Sequence, residues 1–418
     1  MTTTSPGSGF TAEGAVGQFP AGTVEPDYVL TEALGTDPAS VFAGIDDGDR
    51  AYWDRARGFV QDEVLPVING YWERGDYPVH LLRRLGELDL LRDGVAVDGF
   101  APMSRMAAGL VNMEISRGDG SVATMIAVQG GLALRSIAEC GSAEQKEHWL
   151  PAVAAGKEFA AFALTEPTHG SDAVALESTA TGTAGGFLLN GEKKWIGNGS
   201  VGGVSVVWAR GEDGQVHGYL VPQDSPGYAA TKIEGKLALR AIWQAHIRLE
   251  NVFVPQENVL PGARTFKDTA RVLLATRLGV AWSAVGHATA CYETAVQYAR
   301  QRVQFGRPLA ASQIVQERLA RMLSELATMQ LMVVQMTRLD EEGSLTPEQA
   351  SLAKYTCTRI ARGIASNARD LLGGNGILLE NRVARHLADT EAIHTYEGTE
   401  TMQALIIGRG ITGLSAFA

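Results

Sequence analysis

Two breaks in hydrophobic period divide this chain, one near Lys157 and one just past Pro261-Gly262. From Tyr28 to about Gly156 the pattern is helical: Leu81, Leu82, Leu85, Leu88 and Leu90 recur at near-helical spacing. Ser142-Ala-Glu-Gln145, after the stop signal Gly141, is a capping box, in which Ser and Gln side chains each take the other's backbone N–H. Past Lys157 the period shortens. Phe187 to Trp195 reads as two strand edges about an Asn190-Gly191 turn. Val204 to Ala209 and His217 to Pro222 are β-rich runs flanking Gly211-Glu-Asp-Gly214, and Ile247 to Val254 alternates apolar and polar. Strands this short with turns at regular intervals predict a small antiparallel barrel or sandwich of about a hundred residues. After Pro261-Gly262 helices return. Thr346-Pro-Glu-Gln349 opens one with Pro at its first position, and Gly373-Gly374 closes it.

Helices, then strands, then helices is an α+β multidomain order. It predicts a tail over residues 1–26, an N-terminal helical domain over 27–157, a middle β domain over 158–262 and a C-terminal helical domain over 263–418. The tail, rich in Gly, Ser and Thr, reads as mobile. At 418 residues the chain is long enough to bury most of its apolar surface without staples. Its net charge of −11 argues against a general nucleic-acid or anionic-membrane binder, so partners of either kind are not expected. Cys140, Cys291 and Cys357 stand far apart and read as buried small apolar residues in a reduced compartment. The eight histidines show no metal-ligand spacing, so no metal is expected. No apolar run of membrane-spanning length, secretory leader, transit peptide or peroxisomal tripeptide is recognised, which makes the cytoplasm the expected location.

Several familiar chemistries are excluded by their motifs. There is no P-loop, no G-x-S-x-G elbow, and Gly373-Gly-Asn-Gly376 follows a helix rather than a strand, against a Rossmann site. Four other stretches could carry function. Leu164 to Asp172 offers the Thr165 and Ser171 hydroxyls beside Gly170, where a ligand can approach the backbone; it is equally a turn joining two domains. Trp195-Ile-Gly could wall a flat ring or be a core Trp at a bulge. In Arg302-Val-Gln-Phe-Gly306, Arg302 and Gln304 could reach a phosphate and a polar ring edge while Phe305 stacks; the same residues suit a helix C-terminus. Glu397, between Tyr396 and Gly398, is a general base if its pocket is partly apolar and an ordinary loop glutamate if not.

Together and in this order the stretches resemble the acyl-CoA dehydrogenase family. The resemblance is carried by Phe162-Ala-Leu-Thr-Glu-Pro-Thr-His-Gly-Ser-Asp172, Asn190-Gly-Glu-Lys-Lys-Trp-Ile196, Arg302-Val-Gln-Phe-Gly306, Asp370-Leu-Leu-Gly-Gly-Asn-Gly376 and Tyr396-Glu-Gly-Thr399. Trp195-Ile-Gly-Asn, Asn251 to Pro255, Leu372 to Leu378 and Ile411 to Phe417 are similar to the glutaryl-CoA dehydrogenase and plant short-chain acyl-CoA oxidase branch. The resemblance implies a helical–β–helical subunit with a C-terminal four-helix bundle, FAD as cofactor, and a homotetramer of paired dimers.

It also implies roles, residue by residue. Phe162, Leu164, Thr165, Gly170 and Ser171 would line the flavin, with Thr165 on the ring and Ser171 near the pyrophosphate and the substrate. Trp195, Ile196 and Gly197 would cover its other side. Arg302, Gln304, Phe305 and Gln313, with Asp370, Leu371, Leu372, Gly373 and Gly374, would serve FAD across a subunit boundary, and Thr399, Glu400 and Thr401 would also contact it. On the substrate side stand Ala123, Thr124 and Phe417, with Arg277 along the CoA and Gly398 at the thioester. Glu397 would be the catalytic base. The alternative position some relatives use for it holds Thr276, which cannot serve.

Two departures bear on the substrate and the acceptor. The glutaryl branch carries an Arg-Ser pair for a distal carboxylate where this chain has Ala123-Thr124, and burying an unpaired carboxylate is costly. Most dehydrogenases carry a Thr at Gly197. The expected reaction is therefore α,β-dehydrogenation of a short, uncharged acyl-CoA to the trans-2-enoyl-CoA, with electrons passed to an electron-transfer flavoprotein. An acyl-CoA oxidase using O2, a glutaryl-CoA dehydrogenase, and a flavin- or CoA-binding protein without turnover are the alternatives.

Overall fold

The computed structural model describes residues 35–416, so the expected tail over 1–26 and Phe417 lie outside the described residues. The N-terminal third is helical: α1 (Asp47–Phe59), α2 (Ile68–Arg74), α3 (Val79–Glu87), α4 (Arg105–Gly118), α5 (Gly120–Ile126), α6 (Arg135–Cys140) and α7 (Ala143–Ala154). Side chains that accept orphan backbone N–H groups set the starts, Asp46 for α1, Ser104 for α4 and Asp119 for α5. The Ser142–Gln145 capping box starts α7 as the sequence predicts.

A π-helical stretch, Ala127–Leu134, joins α5 to α6 in one rod, Gly120–Cys140. This corrects the sequence reading: the rod is long and apolar enough to cross a membrane, though 78 % of its most apolar window is buried inside the protein. Gly130 explains the burial. A Cβ there would overlap the Leu91 carbonyl, so glycine lets the rod press on the Leu91–Arg92 backbone. From the same stretch Gln129 donates to Val153 O and Glu158 O and accepts from Ala160 N, which ties the rod to the first strand.

The middle region is a curled seven-stranded sheet of β1 (Ala160–Ala163), β2 (Thr179–Thr183), β3 (Gly186–Gly197), β4 (Val204–Gly211), β5 (Val216–Pro222), β6 (Tyr228–Lys232) and β7 (Gln244–Pro255). One edge of β4 takes β5 along its length; the other takes β1 near its start and β2 at its end, both parallel to it. The remaining pairings are antiparallel. The expected Asn190-Gly191 turn is absent: β3 runs straight through, with slips in its register against β7 between Leu189 and Gly191 and between Lys193 and Ile196. Gly191 is there for contact, since a Cβ would collide with Ser178. The glycine signal was real, and it marks a bulge.

The last third holds α8 (Phe266–Gln301), a two-by-two hairpin β8 (Val303–Gln304) and β9 (Arg307–Pro308), then α9 (Gln313–Glu341), α10 (Pro347–Leu371), α11 (Val383–Thr395) and α12 (Glu400–Thr412). Thr265–Asp268 and Thr346–Gln349 are capping boxes for α8 and α10. The bundle core is apolar, with Cys291 and Cys357 inside it; all three cysteines are free and buried, as expected. Glycines bring α4 and α8 close: a Cβ on Gly109 would strike the Trp282 ring, and one on Gly286 would strike Met113 O.

The three regions meet in a buried polar cluster that composition does not reveal. Arg385 on α11 pairs with Asp119, the cap of α5. Leu239 N, in the β6–β7 connection, donates to Asp389 Oδ1 at 2.6 Å. His287 Nδ1 and His386 Nδ1 lie 2.9 Å apart. Burial and the neighbouring Asp119 push the Asp389 carboxyl up to about 7.

Candidate active site

Glu397 sits in the turn between α11 and α12, with φ +56° at Glu397 and +82° at Gly398. Both lie in the left-handed region, where glycine is at ease and glutamate is not. The turn is held from three sides. Lys354, on α10, donates from Nζ to Tyr396 O at 2.6 Å and to Gly398 O. Gln403, on α12, donates from Nε2 to Glu397 O at 3.0 Å and Gly398 O at 2.9 Å. Thr276, on α8, donates to Glu397 Oε2 at 3.3 Å.

Electrostatics at the carboxylate are mixed. Burial pushes the Glu397 carboxyl above its ordinary range; Lys354, Arg277 and the Thr276 hydroxyl oppose the rise, while Asp93 adds to it. Asp93 arrives because Gly131 is small: a Cβ there would stand 3.0 Å from Asp93 Oδ2 and 3.3 Å from Thr276 Cγ2. The Arg277 guanidinium donates to Ser351 Oγ at 2.9 Å, so the structure puts it beside Glu397 and α10. Ala123 and Thr124 are buried on α5, and Thr124 Oγ1 donates to Gly120 O. The Tyr396 hydroxyl is near those of Thr124 and Ser283, and Ser283 Oγ lies 2.7 Å from Ser116 Oγ. Thr124 thus faces the Glu397 turn through Tyr396, while Ala123 is part of the apolar core that also packs against Tyr396.

The sheet assembles a second group. Phe162 ends in β1, buried, with Leu164 behind it, and Lys194 N donates to Thr165 O at 2.8 Å. That bond brings the 164–172 loop beside Trp195, Ile196 and Gly197 at the end of β3. Beneath the loop Lys193 Nζ donates to Glu166 Oε1 at 2.8 Å, and Glu177 N and Ser178 N donate to the same carboxylate. The ammonium holds the Glu166 carboxyl down at about 2. Glu166, His169 and Glu177 place ligand atoms within 4.8 Å of one another, but Glu166 is already committed to these donors. Gly170 and Ser171 are exposed. Trp195 is 55 % exposed at φ +67°, its ring outward, while Ile196 is buried. A Cβ on Gly197 would stand 2.8 Å from Val128 Cγ2, so the missing Thr is matched by a valine that fills its place.

The third group is exposed. Arg302 ends α8, and Gln304, Phe305 and Gln313 follow at the surface, Phe305 fully bare at φ +53°. Asn375 Nδ2 donates to Tyr298 OH at 2.9 Å, which draws the end of α10 toward them. There Asp370, Gly373 and Gly374 are exposed, Leu371 is half-buried and Leu372 is buried. Thr399 caps α12, Glu400 is 3.2 Å from His394 and 3.4 Å from Arg359, and Thr401 is exposed.

These surfaces suit the FAD that the resemblance implies. Gly170, Gly373 and Gly374 have open space where a side chain would be, Trp195 is exposed, and Thr165 is tied by its backbone carbonyl to Lys194 N, next to Trp195. Motif reading missed Lys354, Gln403, Asp93 and the Lys193–Glu166 pair. A signal existed for Lys354: with Ala350, Cys357, Thr358 and Ala361 it lies on the buried stripe of α10, where a lysine is out of place.

Comparison with known proteins agrees with this geometry. The profiles of the acyl-CoA dehydrogenase N-terminal, middle and C-terminal domains match residues 46–157, 161–252 and 266–412. The chain is 32 % identical over 358 residues to the human mitochondrial short-chain specific acyl-CoA dehydrogenase, covering 84 % of this chain and 87 % of that one. A crystal structure of glutaryl-CoA dehydrogenase from Mycobacterium smegmatis superposes with a TM-score of 0.90 at 40 % identity, over 92 % of this chain and 100 % of that one. Another from the same organism, in complex with FADH2, gives 0.89 at 36 % identity, over 91 % and 98 %. The chain belongs to the acyl-CoA dehydrogenase family of FAD-dependent oxidoreductases.

Proposed function

We propose that this enzyme dehydrogenates a short, uncharged acyl-CoA across Cα–Cβ, with Glu397 as the base, and passes the electrons to an electron-transfer flavoprotein. The observation that carries the base is the Glu397 turn: a carboxyl raised by burial, with Lys354 and Arg277 near enough to favour its ionised form. A carboxylate raised above its ordinary range is a stronger base and suits removal of an α-proton.

The Cα–H proton passes to the Glu397 carboxylate, the hydride leaves Cβ with its electron pair, and a trans-2-enoyl thioester results. Bound FAD supplies the two-electron acceptor for that hydride. Negative charge gathers on the thioester oxygen as the α-proton leaves, and the Glu397 backbone N–H would meet it. Thr165, Ser171 and the Trp195–Gly197 strand end would hold the FAD of the same subunit. Arg302, Phe305 and the Asp370–Gly374 segment, exposed at Arg302, Phe305, Asp370, Gly373 and Gly374, would serve the FAD of a neighbour in a homotetramer.

The uncharged substrate rests on Ala123 and Thr124 themselves, neither of them a cation, and on what stands near Thr124: the hydroxyl of Tyr396, itself near that of Ser283. A butyryl-type chain would gain ~0.8 kcal/mol per buried CH2. A glutaryl chain would bring a carboxylate with nothing to meet it. The test is anaerobic bleaching of the flavin by butyryl-, isobutyryl- and glutaryl-CoA at matched pH and ionic strength, followed by air. We expect kcat/KM to favour the uncharged thioesters by at least about tenfold, or ~1.4 kcal/mol, with slow reoxidation in air. Equal turnover of glutaryl-CoA with release of CO2 would establish the glutaryl reaction instead. Fast reoxidation would establish an oxidase.

A further inference from the structure

We infer that Lys354 is a positioning residue that sets two groups of the reaction at once, the Glu397 carboxylate and the Glu397 backbone N–H. The inference rests on the reading of Glu397 as the base.

Lys354 is 1 % exposed, an ammonium on the apolar stripe of α10. A buried charge of this kind persists only where partners take its protons. Those partners are the carbonyls on either side of Glu397, Tyr396 O and Gly398 O. The Tyr396 carbonyl and the Glu397 N–H belong to one planar trans peptide, so they point in opposite directions. An ammonium bound at the oxygen fixes where the N–H aims, and it draws electron density from the nitrogen, which strengthens that N–H as a donor. Among the described residues the Glu397 N–H has no hydrogen-bond partner, which leaves it for the substrate oxygen. The second carbonyl, Gly398 O, is shared with Gln403, so two side chains hold the left-handed Glu397-Gly398 pair in place.

Charge adds a second effect. Facing Glu397 are Lys354 from α10, Arg277 and Thr276 from α8 and Asp93 from the N-terminal helical region. Facing Lys354 are Glu397 and Arg277, and His394 also senses it. Arg277 is bound to Ser351, whereas Lys354 is bound only to the backbone of the Glu397 turn itself. Removing the ammonium takes away the cation most directly attached to the base. A lysine that merely pinned the turn would affect the amount of folded enzyme; this one governs ionisation.

The experiment compares wild type, Lys354→Met and Glu397→Gln as FAD-loaded enzymes. For Lys354→Met we expect normal FAD content, kcat lower by about ten- to a hundredfold with KM changed less, and an acid limb of kcat moved up by about one pH unit. A readout independent of turnover uses acetoacetyl-CoA, which has a ketone at Cβ and can only enolise. The pH at which the bound ligand becomes the enolate, followed by its ultraviolet absorbance, should rise by about one unit. Should Lys354→Met lose FAD or its cooperative melt, Lys354→Gln, neutral but polar, carries the same measurements. Unchanged acid limb and enolisation in a folded, FAD-loaded variant would overturn the inference. Glu397→Gln separates the two readings: if it bleaches normally, the assignment of the base is wrong, and if it is inert while Lys354→Met behaves as wild type, only the role of Lys354 is wrong.

Discussion

Two turns in this protein share one backbone form and have opposite surroundings. Glu397-Gly398 and Phe305-Gly306 each follow a long helix segment, and each pairs a non-glycine residue at φ just above +50° with a glycine near +80°. Around Glu397 stand Lys354, Gln403, Thr276 and Arg277. Around Phe305 there is solvent, and Gly306 has nothing within 4 Å of where a side chain would go. The left-handed pair is a local matter, set by the glycine. Chemistry at the turn is a tertiary matter. The first turn is completed by its own chain, and the second leaves its aromatic and Arg302 exposed.

The contrast breaks most sharply at Glu397. Glu397→Gln keeps the shape and removes the proposed base, so flavin bleaching by substrate should fall by more than the ~10²–10⁴ of ordinary acid–base assistance while FAD stays bound. Stopped-flow absorbance reads this directly, and a near wild-type rate would make the two turns equals.

On the exposed side, Arg302→Ala should raise the FAD dissociation constant by about 1.5–3 kcal/mol and loosen the dimer with it, since a charge-assisted bond across subunits would be lost. Equilibrium dialysis and sedimentation measure the two together. An unchanged FAD affinity would mean that the second turn serves no partner.

The buried side also carries its own pH dependence. Asp389, near the Glu397 turn, is raised to about 7 from an ordinary 3.8. Between those values the native state keeps a proton that the unfolded chain has released, so stability falls as pH rises, by up to ~1.4 kcal/mol per unit for one proton. Urea melts from pH 5 to 7 should show that slope, and Asp389→Asn should flatten it. A slope unchanged in the variant would place the proton elsewhere.

The smallest effect belongs to the exposed ring. Phe305→Ser should shift the melting free energy of the dissociated subunit by less than about 0.5 kcal/mol, because the side chain buries nothing there. A larger loss by calorimetry at dilute protein would show that the hairpin is packed after all.

Helices and caps were legible because their causes are local. Ser142–Gln145 and Thr346–Gln349 act within one turn, and both capping boxes are present. Asn190-Gly191 misled for a related reason. The dipeptide reports that the backbone needs glycine, and only the Ser178 contact shows whether the need is a turn or a bulge. The membrane-length rod Gly120–Cys140 was overlooked because Gln129, Arg135 and three glycines interrupt its apolar run, although a helix averages over them. Gly197 was legible as a departure, but its match with Val128 was not, since 69 positions separate the two.

Period, caps and turn dipeptides are properties of neighbours in the chain, and from them alone came the helical–β–helical order and the stretches that carry chemistry. What the chain could not state in one dimension is which charges end up together. Lys354 reads as one more lysine on a helix, and Asp93 as one more loop aspartate. Folding brings Lys354 onto the Glu397 turn because α10 packs against both α8 and α12, and it brings Asp93 there because Gly131 leaves room. Coulomb interactions depend on distance through space and on burial, and both are defined only once the helices have packed.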